Sequence, residues 1–409
     1  MFRSLVALCL ALLVMPALGA EGAPAAPFVT RQALMDWLAH HPSPLDQAPP
    51  HLRALFLDAL DFDPRGVRSF PYAELAPELT TSELAEVQRL LLDEAMPLRG
   101  LEVEEARQLR GARASGTLAA PSAPVLVAYR NWRGALESTE MSGAAIDRLA
   151  EAHAQAGGDV SEDLRLLHRA ALERADEFRD DARIDTARAL HARLHSRALA
   201  TRQDHRALQR LLLVSGRVED ARTFTAGAPA ASLPAVPRFD ASRPLAHDAV
   251  HIWQIEDDDS AEPILRLDAL NLGIRIVVVS SPGCGFSRAA AAALPSDPEL
   301  GPLFAQHAVW LIAPDAIADT VALRDWNLRN PDTVIRIAAD AAQWSVALDT
   351  TPQFLVFRDG QLVEHISGWR RDGSDRDTLH AALARAGLLR STSDSPAPAN
   401  IPDTTSGLR

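Results

Sequence analysis

The pattern of apolar residues changes once along this chain of 409 residues, at a connector (226–243) rich in proline, alanine and serine. Before the connector, over 30–225, apolar residues recur at the spacing of amphipathic helices. After it, short apolar runs typical of strands alternate with helical segments. The sequence therefore predicts a helical domain over 30–225, a linker over 226–243 and a second domain of strands and helices over 244–390.

The helical domain contains a clear start signal. Thr80 is followed three residues later by Glu83, which is the pattern of a capping box. Loops are predicted at 61–71, punctuated by proline and glycine, and at 114–124, rich in small residues. Segment 208–222 resembles half of a tetratricopeptide-type hairpin, but no full period repeats, so we expect general helix packing. Apolar stripes are formed by Leu84, Val87, Leu91, Leu164, Leu167, Ala171, Ile184, Ala187 and Leu194.

Composition excludes several classes of function. The chain has no lysine, and its 41 basic residues are all arginines, so Schiff-base chemistry and a phosphate-binding loop with its lysine are excluded. The formal net charge of −13 argues against general nucleic-acid binding, which needs a basic face. A hydrophobic content of 47% is enough to build cores. The composition favours a globular protein that does not bind nucleic acid.

The two ends of the chain predict segments outside the folded domains. Arg3, an apolar stretch over 5–14 and small residues over 17–20 have the pattern of an export signal over 1–20. We therefore expect a periplasmic or secreted protein with no membrane span after signal removal. Removal would also take away Cys9. The tail 391–409 is rich in serine, proline and threonine and is predicted to be disordered.

The second domain is predicted to alternate between strands and helices. An Asp359-Gly360 pair between two apolar runs is a strong hairpin signal. The order of elements predicts a central mixed sheet with helices on both faces. The predicted strands are 250–255, 274–280, 308–313, 353–357 and 361–366. The predicted helices are 263–272, 284–294, 318–328, 341–348 and 375–386.

Segment 280–288 carries the chemistry. Its Cys284 follows a predicted strand and opens the next helix, and it would be the only cysteine after export, which rules out an internal disulfide. A thiol at a helix N-terminus meets unpaired N–H groups and the positive end of the helix dipole, which favour the thiolate. Ser287 is placed to donate a hydrogen bond to it. These two are the candidate catalytic residues.

Three neighbours complete the candidate site on this side. Gly283 and Gly285 leave open backbone beside the sulfur, so a partner disulfide can approach. Arg288 is placed to add positive charge, and all three are candidate substrate-binding residues. Phe286 is expected to be a packing residue.

The order of elements, with a cysteine at the start of the first helix and Thr351-Pro352 before the hairpin, resembles the thioredoxin superfamily over about 250–387. The resemblance implies a thioredoxin-like α/β/α domain, which together with the helical pattern over 30–225 predicts an α+β multidomain protein with an all-α N-terminal helical domain. It also implies that Pro352 is a cis-proline opposite the cysteine and that Thr351 offers its backbone to an extended substrate. Such a domain would act on protein thiols or disulfides.

The motif Cys-Gly-Phe-Ser is also the signature of the monothiol glutaredoxins, which use glutathione or hold an iron–sulfur cluster. The chain departs from that family elsewhere. It has Thr350-Thr351-Pro352 where that family has Thr-Val-Pro, and it lacks both the upstream lysine and the later glycine turn for glutathione. We therefore expect no cofactor and no metal.

Two functions follow from these expectations. The preferred one is an exported protein that uses Cys284 for thiol–disulfide exchange or for mixed-disulfide capture of partner proteins. A partner or a small thiol must then release the adduct, because Ser287 stands where a second cysteine would be. The alternative is a non-catalytic binding or assembly module of the same fold. In either case the helical domain would select partners or form a homo-oligomer.

Overall fold

The computed structural model describes residues 28–64, 66–92, 98–135, 139–156, 162–228, 233–242, 249–256, 262–370 and 372–389. The predicted signal segment 1–20 and the tail 391–409 lie outside these ranges. The chain divides into two compact units, Met1–His205 and Arg206–Arg409. This division falls before the predicted linker 226–243. None of the helices in the ranges above is both long and apolar enough to cross a membrane.

The first unit is helical, with one short hairpin in the segment predicted as a loop at 61–71. Gly66 in that hairpin has a φ of 128°, which favours glycine. The hairpin consists of β1 (Asp61–Asp63) and β2 (Gly66–Ser69). The helices are α1 (Arg31–Leu38), α2 (Pro50–Ala59), α3 (Thr81–Leu91), α4 (Val103–Ala114), α5 (Ala123–Arg133), α6 (Glu140–Gln155), α7 (Glu162–Phe178), α8 (Asp181–Ser196) and the start of α9 (Arg202–Val214).

The predicted capping box at the start of α3 is confirmed. The Glu83 amide donates to the Thr80 hydroxyl at 3.3 Å, and the Thr80 amide donates to the Glu83 carboxylate at 2.8 Å. Every residue of the predicted apolar stripes is buried. The gap between α4 and α5 agrees with the predicted loop at 114–124. Local sequence signals therefore account for much of this unit.

Arginines pair with buried carboxylates inside the first unit. Glu78 is buried, and Arg113, Arg165 and Arg169 each form an ion pair with it, at 2.6, 3.0 and 3.2 Å. Burial alone would raise the pKa of Glu78, but Arg165 and the other two guanidinium groups lower it to about 2. A carboxylate so placed stays charged at neutral pH.

The second unit is built on a mixed sheet, for which the described residues give eight strands in the order β10-β9-β6-β7-β8-β4-β5-β3. Strands β6, β7 and β8 run parallel to each other, while β9 is antiparallel to β6 and β10 is antiparallel to β9. The strands are β3 (Arg238–Asp240), β4 (Val250–Glu256), β5 (Ile264–Leu270), β6 (Ile274–Val279), β7 (Ala308–Ile312), β8 (Ile335–Ala338), β9 (Gln353–Arg358) and β10 (Gln361–Ser367).

Helices α11 to α14 all contribute to the core on one face of this sheet, together with Ile276 and Val278 of β6. The alternate residues Val277 and Val279 face a second core, which Trp344 and Leu348 help to close. This arrangement differs from the predicted one with helices on both faces. The helices of the second unit are α10 (Val218–Gly227), α11 (Gly285–Ala293), α12 (Leu300–His307), α13 (Thr320–Arg329) and α14 (Arg376–Arg385), after the end of α9.

Three further predictions of local structure need correction. The predicted helix 263–272 is strand β5, which pairs along its whole length with β4, and this pairing outweighs a helical pattern in so short a run. The predicted helix 341–348 is only a 3-10 turn, Ala341–Gln343. Elements β3, β8 and α12 were not predicted. The Asp359-Gly360 hairpin is confirmed, with both residues at positive φ, 51° and 77°.

Candidate functional site

The pairing of β6 with β9 brings the two halves of the candidate site together. The strands are antiparallel, and Val279 at the end of β6 lies opposite Gln353 at the start of β9. The loop that leaves β6 and the loop that enters β9 therefore lie side by side, at the same end of these two strands. Cys284 is on the first loop and Thr351 is on the second. Their sulfur and carbonyl oxygen are 3.3 Å apart.

Cys284 is the N-cap residue of α11, with extended backbone (φ −82°, ψ 122°). Its amide donates to the Ser281 carbonyl at 3.0 Å, and its carbonyl accepts the first helical hydrogen bond, from Arg288, at 3.0 Å. The cysteine is free and partly buried. The sulfur thus lies beside the first amides of a helix and is still reachable from solvent.

The surroundings of the sulfur favour the thiolate. Burial opposes ionisation of the Cys284 thiol, but the nearby Ser287 amide and the hydroxyls of Thr351 and Ser287 favour the thiolate and outweigh it. The Phe286 amide acts in the same direction, and the net result is a pKa of Cys284 below its usual value. The thiol form instead donates to the Thr351 carbonyl. Ionisation therefore exchanges one accepting group for several donating ones.

Ser287 is buried, and its hydroxyl accepts a hydrogen bond from the Ser281 amide at 3.3 Å. Accepting this hydrogen bond does not use the hydroxyl's own O–H, which is left to donate to the sulfur. The Ser281 hydroxyl in turn accepts from the Gly283 amide at 3.3 Å. Ser281 was not singled out from the sequence. The signal for it was a serine just before Pro282, at a turn.

The Arg288 side chain, on α11, reaches back to the loop before the helix. Its guanidinium donates to the carbonyls of Pro282 and Gly283, at 2.9 and 3.1 Å. It therefore fastens the turn that presents Cys284. A Cβ at Gly283 would meet only the Ser281 hydroxyl, at an ordinary 3.6 Å, and Gly285 is the first residue of α11.

The sequence predicts Phe286 as a packing residue, but the structure leaves its side chain exposed. It is 48% exposed, directly after the first helical residue. An aromatic ring at this position adds apolar surface beside the cysteine. Such surface contributes to binding when a partner covers it.

The opposite loop is held by hydrogen bonds on both sides of Pro352. The Thr351–Pro352 peptide bond is cis, and the Pro352 carbonyl accepts from the Gly368 amide at 2.9 Å. The side-chain amide of the buried Gln353 donates to the Thr350 carbonyl at 2.7 Å. Nε2 of His365 is 2.8 Å from the side-chain oxygen of Gln353. Gln353 thus fixes the loop that carries Thr351, a role that its sequence position after Pro352 did not reveal.

No cluster of three or more histidine, cysteine, aspartate or glutamate side chains could hold a metal ion, within the ranges that the structure covers. Comparison with known proteins adds no assignment: no protein-family model, curated protein or solved structure matches this chain.

Proposed function

We propose that the second unit is a thioredoxin-like domain that uses the single thiolate of Cys284 to exchange disulfides with partner proteins. The observation that carries the proposal is the placement of the sulfur. Cys284 is the N-cap residue of α11, and its partly exposed thiol has a lowered pKa. Its sulfur is 3.3 Å from the carbonyl oxygen of Thr351. The strand order β10-β9-β6-β7 also supports the proposed domain class, since it puts the cysteine loop and the Thr351 loop side by side.

The reaction has two balanced steps. The Cys284 thiolate attacks one sulfur of a partner disulfide, forms a mixed disulfide with it and expels the other partner sulfur as a thiolate. The mixed disulfide persists until a second thiolate attacks it. That thiolate belongs to the partner or to a small thiol, it leaves in a new disulfide, and Cys284 is again a thiolate. No outside oxidant or reductant is needed, because each step breaks one S–S bond and forms another.

Ser287 occupies the position of a second cysteine that would release the mixed disulfide, so it stabilises the Cys284 thiolate instead of resolving the adduct. Its hydroxyl can donate to the thiolate but cannot displace a bound partner. The adduct is therefore expected to be longer-lived than in a protein with two cysteines. An oxidising compartment would supply disulfide substrates, so we propose export as part of the same function.

The experiment measures the rate of Cys284 alkylation against pH, in a Cys9→Ser chain where Cys284 is the only thiol. We expect an apparent pKa below that of a free cysteine, with rapid alkylation at neutral pH. Oxidised partners should also appear as mixed disulfides on non-reducing gels and be absent for Cys284→Ser. A thiol with an ordinary or raised pKa would refute the proposal.

A second candidate is a binding or assembly module, and the half-exposed ring of Phe286 favours it. In this function the surface around the sulfur binds a partner and no covalent bond forms. Phe286→Ala would then weaken partner capture, while Cys284→Ser would leave it unchanged. The exchange function predicts that Cys284→Ser abolishes covalent capture.

A further inference from the structure

Gln353 is a buried polar side chain directly after Pro352, at the start of β9, and it is only 3% exposed. Its side-chain nitrogen donates two hydrogen bonds, to the carbonyl of Ala347 at 2.9 Å and to the carbonyl of Thr350 at 2.7 Å. Its side-chain oxygen lies 2.8 Å from Nε2 of His365 on β10. One amide group therefore joins the loop before Pro352 to strand β10.

The partners of this amide allow only one orientation. A backbone carbonyl can only accept a hydrogen bond, so the two carbonyls need the NH₂ group of Gln353 and use both of its hydrogens. The oxygen of Gln353 must then face His365, and that ring must carry a hydrogen on Nε2 in order to donate it. The same nitrogen is 3.3 Å from the Ser367 hydroxyl, which can accept from the same N–H. The position therefore requires an amide, and neither an apolar nor a carboxylate side chain of the same length could make these contacts.

The Thr350 carbonyl connects Gln353 to the reacting sulfur. Thr350 is followed directly by Thr351, whose carbonyl oxygen is 3.3 Å from the sulfur of Cys284. The hydroxyl of Thr351 favours the thiolate form of Cys284. Any displacement of Thr350 therefore moves both of the groups that Thr351 presents to the sulfur.

The two sides of the Thr351–Pro352 bond are held in different ways. After the bond, the Pro352 carbonyl accepts from the Gly368 amide, and the backbone of β9 pairs with β6 and β10. These contacts are made by the backbone and do not depend on the side chain of residue 353. Before the bond, the buried side chain of Leu348 anchors the loop by apolar packing, and Gln353 holds the residue next to Thr351.

We propose that Gln353 is a positioning residue for thiol exchange at Cys284: its amide holds the Thr350 carbonyl and thereby keeps Thr351 against the sulfur. The inference rests on the proposed function and adds to it a residue that acts through Thr351. Without the amide, the thiol would lose an acceptor and the thiolate would lose a donor. A hydrogen bond to a charged acceptor is the stronger of the two, so the fraction of thiolate should fall.

The test is the pH profile of Cys284 alkylation in the full chain with Cys9→Ser, in which Cys284 is the only thiol. Gln353→Met keeps an unbranched side chain of similar length and removes the amide. We expect the alkylation midpoint to rise by about half a pH unit or more, which is a roughly threefold change in the ionisation equilibrium.

The matched control is Gln209→Met, at a second buried glutamine of the same unit. The side-chain nitrogen of Gln209 also donates two hydrogen bonds, to the Thr225 hydroxyl and the Pro234 carbonyl, both at 2.8 Å. Neither partner belongs to the candidate site. Gln209→Met should therefore lower the stability in urea unfolding and leave the alkylation midpoint unchanged.

Thr351→Val separates positioning from a general loss of stability. This substitution removes the hydroxyl and keeps the backbone, so it should raise the alkylation midpoint by itself. If Gln353 acts through Thr351, Gln353→Met should add a smaller rise in the Thr351→Val chain than in the chain that keeps Thr351. A role in folding alone predicts a lower urea midpoint and no change in the alkylation profile.

The possible outcomes distinguish this inference from the proposed function. An ordinary alkylation midpoint in the Cys9→Ser chain would contradict the proposed function itself. A lowered midpoint that Gln353→Met leaves in place, or that Gln209→Met raises as far, would overturn the inference alone, and so would equal rises with and without Thr351→Val. If Gln353→Met fails to fold, nitrogen NMR of the Cys9→Ser chain decides. The neutral ring of His365 must carry its hydrogen on Nε2, and a hydrogen on Nδ1 alone would overturn the inference.

Discussion

Ser287→Ala is the sharpest test of how the site makes a reactive thiol. The substitution removes one hydroxyl from a buried position and keeps the Ser287 backbone amide, which also favours the thiolate. It takes away a hydrogen bond to a charged group, which contributes about 1.5 kcal/mol at the low end of its usual range. We take the low end because the sulfur is partly exposed.

That free energy is about a tenfold change in the ionisation equilibrium, since about 1.4 kcal/mol corresponds to one power of ten. The thiolate fraction near neutral pH should fall accordingly. A thiolate of higher pKa is intrinsically the better nucleophile, which returns part of the loss. We therefore expect the alkylation rate at neutral pH to fall roughly three- to tenfold, with a similar or higher plateau at high pH.

The assay is the full pH profile of alkylation, in the Cys9→Ser background, with Phe286→Ala as the matched control. That control changes an exposed neighbouring side chain and keeps its amide, so its profile should not move. The reasoning fails if Ser287→Ala leaves the midpoint in place, or if Phe286→Ala shifts it as far. Either result would mean that the hydroxyl is not what stabilises the thiolate.

Three other predictions concern release of the adduct, the helical unit and acid stability. Ser287→Cys should restore release, because a second thiol can attack the Cys284 adduct, and trapped partners on non-reducing gels should decrease. Gly143→Ala should destabilise the chain by about 3 kcal/mol in urea unfolding, since the new Cβ would collide with the buried guanidinium of Arg174 and displace it from its ion pair. Burial lowers the pKa of His191 on α8 to about 3, so the unfolded chain binds this proton more readily than the folded chain does. The stability that the neutral ring contributes above pH 6.5 should therefore be lost at about 1.4 kcal/mol per pH unit as pH falls from 6.5 towards 3.

Each of these predictions has a result that would contradict it, and the glycine prediction also has a control variant. Gly111→Ala, at an exposed helix position with nothing within 4 Å of its new Cβ, should instead stabilise by about 0.5–1 kcal/mol. Equal effects of the two glycine substitutions would contradict the collision. His191→Gln should flatten the acid slope, and an unchanged slope would exclude that residue. Persistent adducts in Ser287→Cys would show that the position cannot reach the mixed disulfide.

Features encoded over a few neighbouring residues could be predicted from the sequence. The capping box of Thr80 and Glu83, the Asp359-Gly360 turn and the helix start at Cys284 are all present. In each, the same short segment supplies both partners of the contact that defines it. Strand β5 could not be told from a helix, because seven residues with mixed apolar positions fit either period.

Groups that come from separate elements were harder to predict. That the Thr351-Pro352 loop lies beside Cys284 was expected only from a family resemblance, and the contact of the sulfur with Thr351, 67 positions along the chain, was not expected. Gln353 and Ser281 act through hydrogen bonds that appear only once the loops are folded. The contacts of buried His191 with His168 and His205 need three packed helices, and the only local sign of them is the spacing of His191 and His195 on one face of α8.

The register between β6 and β9 has a consequence for how this site can vary. The distance from the sulfur to the Thr351 carbonyl depends on two adjacent strands and two short loops, with Val279 opposite Gln353. The intervening stretch, which contains α12, β7, α13 and β8, leaves the end of β6 and returns to the start of β9 beside it. Its surface loops can lengthen or shorten while those strands stay paired, so the reactive centre can persist through large changes in the chain that connects its halves.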